Sequence, residues 1–200
     1  MSLFTPTQAA VATGLPLKTV QKAIDLRAVP TRIVKSGKNR KRYLSEISLL
    51  CLELEASGLQ QLPLVIRRQV FQTISRTPRT RQVRVNDAFF VDVSSARKRL
   101  ALRLKELKKA EQMVSSDASV MSGTPVFRGT RIPVNAIAEM IQAGASPQEI
   151  LEGYPSLNAE KLHLAMVYSK AHPQRGRPRV QPWNKIRPAR RVRKRLRPTA

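Results

Sequence analysis

Few side chains in this 200-residue sequence could do covalent or metal chemistry, and those few are isolated. His163 and His172 stand in no pattern of cysteines or carboxylates that predicts a triad or a metal site. The single Cys51 lies in a leucine-rich run, which predicts a small buried apolar role rather than a nucleophile or a disulfide. The run 36–38, Ser-Gly-Lys, lacks the glycine spacing of a phosphate-binding loop. We therefore expect no enzyme, no metal and no cofactor.

Anion binding is the chemistry that the sequence favours. Lys and Arg number 37 against 13 Asp and Glu, which gives a formal net charge of +24 at pH 7. Such a chain repels itself and attracts a polyanion: nucleic acid, an acidic protein surface or an anionic membrane. No apolar run reaches the roughly 18 residues of a membrane span, and the first residues do not form a signal-peptide pattern. The expected location is the cytoplasm.

The positive charge is concentrated in two of three parts of the chain. Residues 1–114 hold 22 basic and 8 acidic side chains, residues 115–174 hold 4 and 5, and residues 175–200 hold 11 and none. This distribution predicts a basic N-terminal unit, which divides into a first domain and a connecting region, followed by a near-neutral middle module and a basic Pro/Arg-rich tail that is disordered when free. Their predicted bounds are 1–58, 59–114, 115–174 and 175–200.

The first domain has elements that could position cations on DNA. Thr5-Pro6 predicts the start of a helix that ends before Gly14, and a second helix follows with apolar residues at three- and four-residue spacing. The other face of the second helix carries polar groups that could contact phosphates or base edges in a major groove. These are Lys18, Thr19, Gln21 and Lys22. A plain helical hairpin with a solvated polar face is the alternative.

A basic β hairpin is predicted next, followed by a third helix from about Glu46 to Ala56. The candidate DNA contacts of the hairpin are Lys35, Lys38, Arg40, Lys41 and Arg42. The order of elements over about residues 3–56 resembles the MerR-like winged helix-turn-helix, particularly at 9–20 and 42–46. That resemblance implies major-groove reading by the second helix, and backbone or minor-groove contact by the hairpin.

Residues 59–114 are predicted to form a helix, a strand pair turning at Asn86-Asp87, and a long helix from about Ser94 to Val114. The long helix has apolar residues on one face. We expect it to pack by that face and to expose a solvated cationic surface, with direct nucleic-acid contact as the alternative. The cations are Arg97, Lys98, Arg99, Arg103, Lys105, Lys108 and Lys109.

The most specific motif is Gly-Thr-Pro-Val-Phe-Arg-Gly-Thr-Arg-Ile-Pro-Val at 123–134. It predicts two extended segments joined by a turn, and three short helices follow, with a cap at Gly144, a capping box at 146–149 and an N-cap at Asn158. With 146–151 and 154–155, this motif resembles the family catalogued as domain of unknown function 433, over about residues 118–172. The resemblance implies a VapB-type antitoxin of a type II toxin–antitoxin pair, whose toxin is a PIN-like ribonuclease.

Four motif residues, Arg128, Gly129, Thr130 and Arg131, are predicted to be structural or to contribute to dimerisation. Gly129 would supply a permissive backbone, and Thr130 would supply turn hydrogen bonds. Local pairing with carboxylates is expected for the two arginines. Arg131 could instead face a partner protomer. A homodimer is expected because operators usually present paired half-sites. Its contacts are predicted in the 115–174 module or in the helix from Ser94 to Val114.

The tail, residues 175–200, could bind DNA phosphates or the metal-binding carboxylates of a PIN-like toxin. Phosphate binding alone would need no Trp183, so the toxin is favoured for the residues near it. The predicted toxin contacts are Trp183, Lys185, Ile186, Arg187, Arg190 and Arg191. The rest of the basic run 190–195 could contact DNA, toxin or solvent.

The predicted fold class is mainly α with short β hairpins (α+β): a winged helix-turn-helix, a small helical helix-turn-helix-like module and an extended tail. The predicted function is an antitoxin that inhibits a PIN-like (VapC-type) ribonuclease and represses its own operon. One alternative is a stand-alone DNA-binding regulator with a disordered cationic tail and no toxin. The other is an RNA-binding accessory protein, which the 4% aromatic content disfavours.

Overall fold

Residues 2–36 and 39–174 are described by a computed structural model, and they are mainly helical with three small antiparallel strand pairs. The helices are α1 Pro6–Thr13, α2 Leu17–Asp25, α3 Glu46–Ala56, α4 Leu64–Arg76, α5 Val93–Gln112, α6 Val134–Gln142, α7 Pro147–Gly153 and α8 Ala159–Ala171. The paired strands are β1 Arg32–Ser36 with β2 Asn39–Tyr43, β3 Gln82–Arg84 with β4 Phe90–Asp92, and β5 Val114–Ser115 with β6 Val126–Phe127. The predicted mainly helical α+β class is confirmed at this level.

The local caps that the sequence predicts are present. Thr5 caps α1 through a capping box with Gln8, and Ser146 caps α7 through a capping box with Glu149. The backbone N–H and hydroxyl of Ser146 hold the pKa of Glu149 below its ordinary value. Asn158 accepts a hydrogen bond from the backbone N–H of Lys161 and so caps α8. Each cap satisfies amides that have no partner within the helix, which fixes where these helices begin.

One predicted boundary is wrong. The long helix α5 ends at Gln112, and Val114 belongs to β5, where it is the register partner of Phe127. The chain leaves the helix here because Val114 then packs in a second core with the fully buried Phe127.

Two hydrophobic cores organise the described residues. The first core unites α1–α3 with α4, the β3–β4 pair and the first half of α5. Its buried members include Ala9, Val20, Leu44, Leu52, Ile74, Val91 and Leu100. The second core is built by β5, β6 and α6–α8, and its buried members include Val134, Ile137, Ile150 and Leu162. The predicted segments 1–58 and 59–114 therefore share one core.

Helix α8 connects the second core to the first, since it packs against both α5 and α1. Lys109 Nζ lies 3.1 Å from a carboxylate oxygen of Glu160 across the α5–α8 contact. Near the end of α8, His172 Nε2 lies 2.9 Å from Glu111 Oε1, which also accepts a hydrogen bond from Gln8 of α1. The start of α1 and the ends of α5 and α8 are thereby held at one carboxylate.

Candidate nucleic-acid interface

Helices α1 and α2 are joined by the three-residue turn 14–16. Gly14 takes a left-handed φ of +68°, which a residue with a side chain adopts only at a cost. Next to it, the buried Thr13 donates from its hydroxyl to the Ala9 carbonyl. The turn leaves Val20 and Ile24 of α2 buried in the first core, so the opposite face of α2 is the one directed to solvent.

The predicted polar face of α2 is largely solvent-exposed. Lys18, Gln21 and Lys22 are exposed, whereas Thr19 is partly buried. Two cations and one amide are therefore available on two turns of a single helix. An ammonium can contact a phosphate, and a Gln amide can both donate to and accept from a base edge.

The β1–β2 hairpin carries cations on both strands. Its register places Lys35 opposite Arg40, and Arg42 opposite Ile33, whose side chain is 59% exposed. Like charges directly opposite one another in an exposed strand pair are destabilising unless an anion lies nearby. Arg42 forms an ion pair with Asp25 of α2, so part of its charge is already compensated.

A cleft of about 770 Å³ lies between α2 and β2. Its lining includes Gln21 and the basic run 40–42, together with Thr5 at the start of α1. The structure thus brings an α2 amide and three hairpin cations to one surface, which we name the α2–hairpin surface. Lys18, Lys22 and Lys35 lie on the same two elements, while Lys38 is outside the described residues. His172 to Gln174 line the same cleft, so the described chain ends beside this surface.

A buried carboxylate, Glu53, anchors the network that holds the end of α1, next to the turn before α2. Glu53 of α3 is 2% exposed and accepts from Arg99 Nε and from Arg103 Nη1, both at 2.8 Å. Arg103 also donates to the Thr13 carbonyl at 2.9 Å. One guanidinium of α5 therefore joins the end of α1 to α3. Because burying a carboxylate without partners is costly, this network fixes the position of the turn before α2.

This network corrects the prediction of a solvated cationic face on α5. Arg99 and Arg103 bond Glu53, and Arg97 donates to the backbone carbonyl of Pro78 at 2.7 Å. Lys98, Lys105 and Lys108 remain exposed as expected. The sequence did contain a signal: a glutamate inside the apolar run 49–54 must find cations when it is buried, and the two arginines lie four residues apart on one helix face.

Replacing Gly14 by alanine is expected to destabilise the fold more than replacing Gly129. Both glycines have positive φ, +68° and +76°, which costs an alanine about 1–2 kcal/mol. An added Cβ at Gly14 would lie 3.3 Å from the Arg103 guanidinium, whereas at Gly129 it meets nothing within 4 Å. Urea unfolding of G14A and G129A compares the two, and the excess loss should shrink when Arg103 is also alanine. Equal losses would show that Arg103 does not constrain the turn.

The motif at 123–134 closes the end of α5. Arg128 Nε donates to the Gln112 carbonyl at 3.0 Å, so the expected carboxylate pairing of Arg128 is wrong: it caps the last carbonyl of α5 instead. Thr130 donates to the Phe127 carbonyl and accepts from the Ile132 amide, and Gly129 takes the left-handed turn position. Arg131 is exposed and forms no ion pair among the described residues.

The groups capable of covalent or metal chemistry are held in structural roles. Cys51 is fully buried as predicted, and burial, followed by the charge of Glu55, raises the pKa of its thiol to about 12. His163 in α8 and His172 just after it each face one carboxylate that the sequence pattern had not indicated, His163 with Glu106 and His172 with Glu111. In residues 2–36 and 39–174, no three His, Cys, Asp or Glu side chains form a group that could hold a metal.

Two further predictions concern the toxin contacts of the tail and the absence of a membrane span. The predicted toxin contacts, Trp183, Lys185, Ile186, Arg187, Arg190 and Arg191, all lie outside the described residues. Among the helices from α1 to α8, none combines the length and the apolar character needed to cross a bilayer.

Known proteins match both the second core and most of the chain. The model of a family described as "Protein of unknown function (DUF433)" matches residues 114–169, from the start of β5 into α8. The chain is similar to "Uncharacterized protein y4eO" of Sinorhizobium fredii, with 30% identity over 187 residues, 86% of this chain and 83% of the relative. It is also similar to the crystal structure of Rv2018 from Mycobacterium tuberculosis, with 13% identity, a TM-score of 0.29, and coverage of 83% of this chain and 97% of that one.

Proposed function

The chain belongs to the DUF433 family, and from that premise we propose that it is a DNA-binding antitoxin that represses its own operon. The DNA-binding half rests on the α2–hairpin surface, and the antitoxin half rests on the resemblance to VapB-type antitoxins and on the tail. Both activities belong in the cytoplasm, where an operator and a ribonuclease toxin would be met. The MerR-like arrangement of α1, α2 and the β1–β2 hairpin is part of the same proposal.

The single observation that carries the DNA-binding half is the charge on the α2–hairpin surface. Lys18, Gln21 and Lys22 are exposed on α2, and Arg40 to Arg42 line the adjoining cleft. Among the residues that the structure describes, Asp25 is the only carboxylate lining that cleft, and it is already paired with Arg42. Phosphates would compensate the remaining cations with favourable release of counterions, and Gln21 could read a base.

Recognition of an operator would require two copies of the chain. One helix of nine residues reaches only a few base pairs, and repressors usually bind paired half-sites one helical turn apart. A homodimer through the 115–174 module, with Arg131 facing the partner protomer, would supply the second helix. The test is binding of the full chain to DNA upstream of its own reading frame, measured against a random duplex of equal length and composition.

The antitoxin half assigns the tail to a PIN-like toxin. Arg187 and Arg190 would bind the metal-binding carboxylates of the toxin bidentately, and Trp183 and Ile186 would fill neighbouring apolar pockets. Residues 175–200 contain eleven basic and no acidic side chains, which suits an acidic active site. A stand-alone regulator without a toxin is the second candidate, and the same basic tail favours it if the tail binds only DNA.

Truncation after Arg179 is expected to abolish protection from the toxin while specific DNA binding by the α2–hairpin surface persists. The neighbouring reading frame would be co-expressed with the full or the truncated chain, and growth and copurification would be measured. A matched pair of tail variants, R187A/R190A and R193A/R195A, removes the same charge from two places, and only the first pair should lose protection. Full protection by the truncated chain would overturn the assignment of the tail to the toxin. A full chain that neither protects nor copurifies with the neighbouring product would favour the stand-alone regulator.

A further inference from the structure

We propose that a second cleft, lined by the loop that precedes the hairpin and by α4, binds the DNA backbone. This arginine cleft has a volume of about 510 Å³ and lies between loop 27–31 and helix α4. Its lining includes Arg27, Thr31, Arg68, Ser75 and Arg76. The inference rests on the proposed DNA-binding function and extends it to residues 64–76, which the sequence did not assign to DNA contact.

The charges of the arginine cleft are unopposed. Its two walls come from segments 26–45 and 56–86, which contain seven and six basic residues and no acidic one. Among the described residues, Arg27, Arg68 and Arg76 donate no side-chain hydrogen bond and form no ion pair. Three free guanidinium groups around one open cleft repel one another, and an anion between them would remove that cost.

Arg67, which precedes Arg68 in α4, shows what an arginine with a structural role does in this helix. Arg67 is partly buried and donates from Nη1 to both carboxylate oxygens of Glu55, at 2.9 and 2.8 Å. It therefore ties α4 to α3. Arg68, one residue later, is exposed and has no such partner. The two side chains are chemically identical, so the difference lies in what each is positioned to meet.

Arg27 occupies a backbone position that favours glycine. Its φ is +51°, just after the end of α2, and the Ala28 amide donates back to the Ala23 carbonyl at 2.9 Å. This is the left-handed ending of a helix, in which glycine is the usual residue at the position of Arg27. The Arg27 side chain forms no ion pair among the described residues that would offset this strain, so its guanidinium is free for a contact outside the fold.

Continuity with the α2–hairpin surface identifies the DNA backbone as the occupant. Arg27 follows α2 after one residue, and Thr31 directly precedes β1. A duplex on α2 would extend along the adjoining segment 27–31, where the guanidinium groups and the exposed Thr31 hydroxyl are suitable phosphate donors, whereas the Ser75 hydroxyl already donates to the Phe71 carbonyl at 2.8 Å. The tail of this chain and a second copy are both strongly cationic and would be repelled from the cleft.

The test is the salt dependence of DNA binding by the full-length chain. Each lost phosphate contact reduces the slope of log K against log salt by about 0.9, so R68A/R76A is expected to lower it by about 1.8 and to weaken operator and random duplexes equally. The control variant K98A/K108A removes the same charge from exposed positions of α5 outside the cleft and should leave the slope unchanged. An unchanged slope in R68A/R76A, or equal changes in both variants, would overturn the proposal.

A second variant separates DNA contact from folding. R27G places the favoured residue at a left-handed position, so its melting temperature is expected to equal or exceed that of the unmodified chain while its salt slope falls by about 0.9. A lower slope together with a preserved melting temperature supports the contact, and an unchanged slope contradicts it. If the unmodified chain binds no DNA, the proposed function itself fails; if it binds but these variants behave like it, only the arginine cleft fails.

Discussion

The double variant R99A/R103A is expected to lose about 3–5 kcal/mol of unfolding free energy, because it leaves the Glu53 carboxylate buried without a cation. Glu53 is 2% exposed, and its two oxygens each accept from one of these arginines at 2.8 Å. Because the Arg99 and Arg103 side chains are 44% and 39% exposed, water that enters in their place offsets part of this cost, and we expect the loss at the lower end of the range. Urea unfolding followed by circular dichroism measures the loss directly.

A third substitution tests whether the buried charge causes that loss. Adding E53Q to R99A/R103A removes the unpaired charge while keeping the shape of the side chain, so part of the stability should return. The pair K98A/K108A, on exposed positions of α5, should change stability by no more than about 0.5 kcal/mol. If E53Q adds a further loss to that of R99A/R103A, then an unpaired buried charge is not the cause of the loss.

The triple variant K18A/Q21A/K22A is expected to lose at least about 100-fold in operator affinity. Each contact to a base or phosphate contributes roughly 1–3 kcal/mol, and about 1.4 kcal/mol corresponds to a tenfold change. All three side chains are exposed and carry no described hydrogen bond, so the melting temperature should hardly change. Fluorescence anisotropy at fixed salt gives the affinity, and circular dichroism gives the melting temperature.

A matched triple variant on α5 provides the control. K98A/K108A/Q112A removes two lysines and one glutamine from exposed helix positions outside the α2–hairpin surface. Its affinity for the operator should stay within a few-fold of the unmodified chain, since long-range charge effects are screened over about 8–10 Å. Similar losses in both triple variants would mean that net charge alone attracts the DNA.

Most of the local structure was accessible from the sequence because it is determined by short-range chemistry. The left-handed Gly14 and the capping residues Thr5, Ser146 and Asn158 mark the ends of helices within a few residues. The hairpin strands β1 and β2 and helix α3 also follow the predicted pattern. Caps and turns act on neighbouring amides, so they can be recognised without knowledge of the fold.

The contacts that position the candidate site were not accessible in the same way. Glu53 meets Arg99 and Arg103 across 46 and 50 residues of chain, and Gln8 meets Glu111 across 103. Packing of α8 on α1 is equally distant in sequence. Which of several arginines faces a buried carboxylate depends on how helices pack, and a single sequence does not specify that. The arginine cleft was missed for the same reason, since its walls are separate segments.

Binding of the full chain to the DNA upstream of its own reading frame tests the central claim most directly. Footprinting at near-physiological salt is expected to reveal a protected site with two half-sites about one helical turn apart. The K18A/Q21A/K22A variant should lose that protection while K98A/K108A/Q112A keeps it. Equal protection of upstream and random DNA, or protection that survives the loss of Lys18, Gln21 and Lys22, would contradict sequence recognition by the α2–hairpin surface.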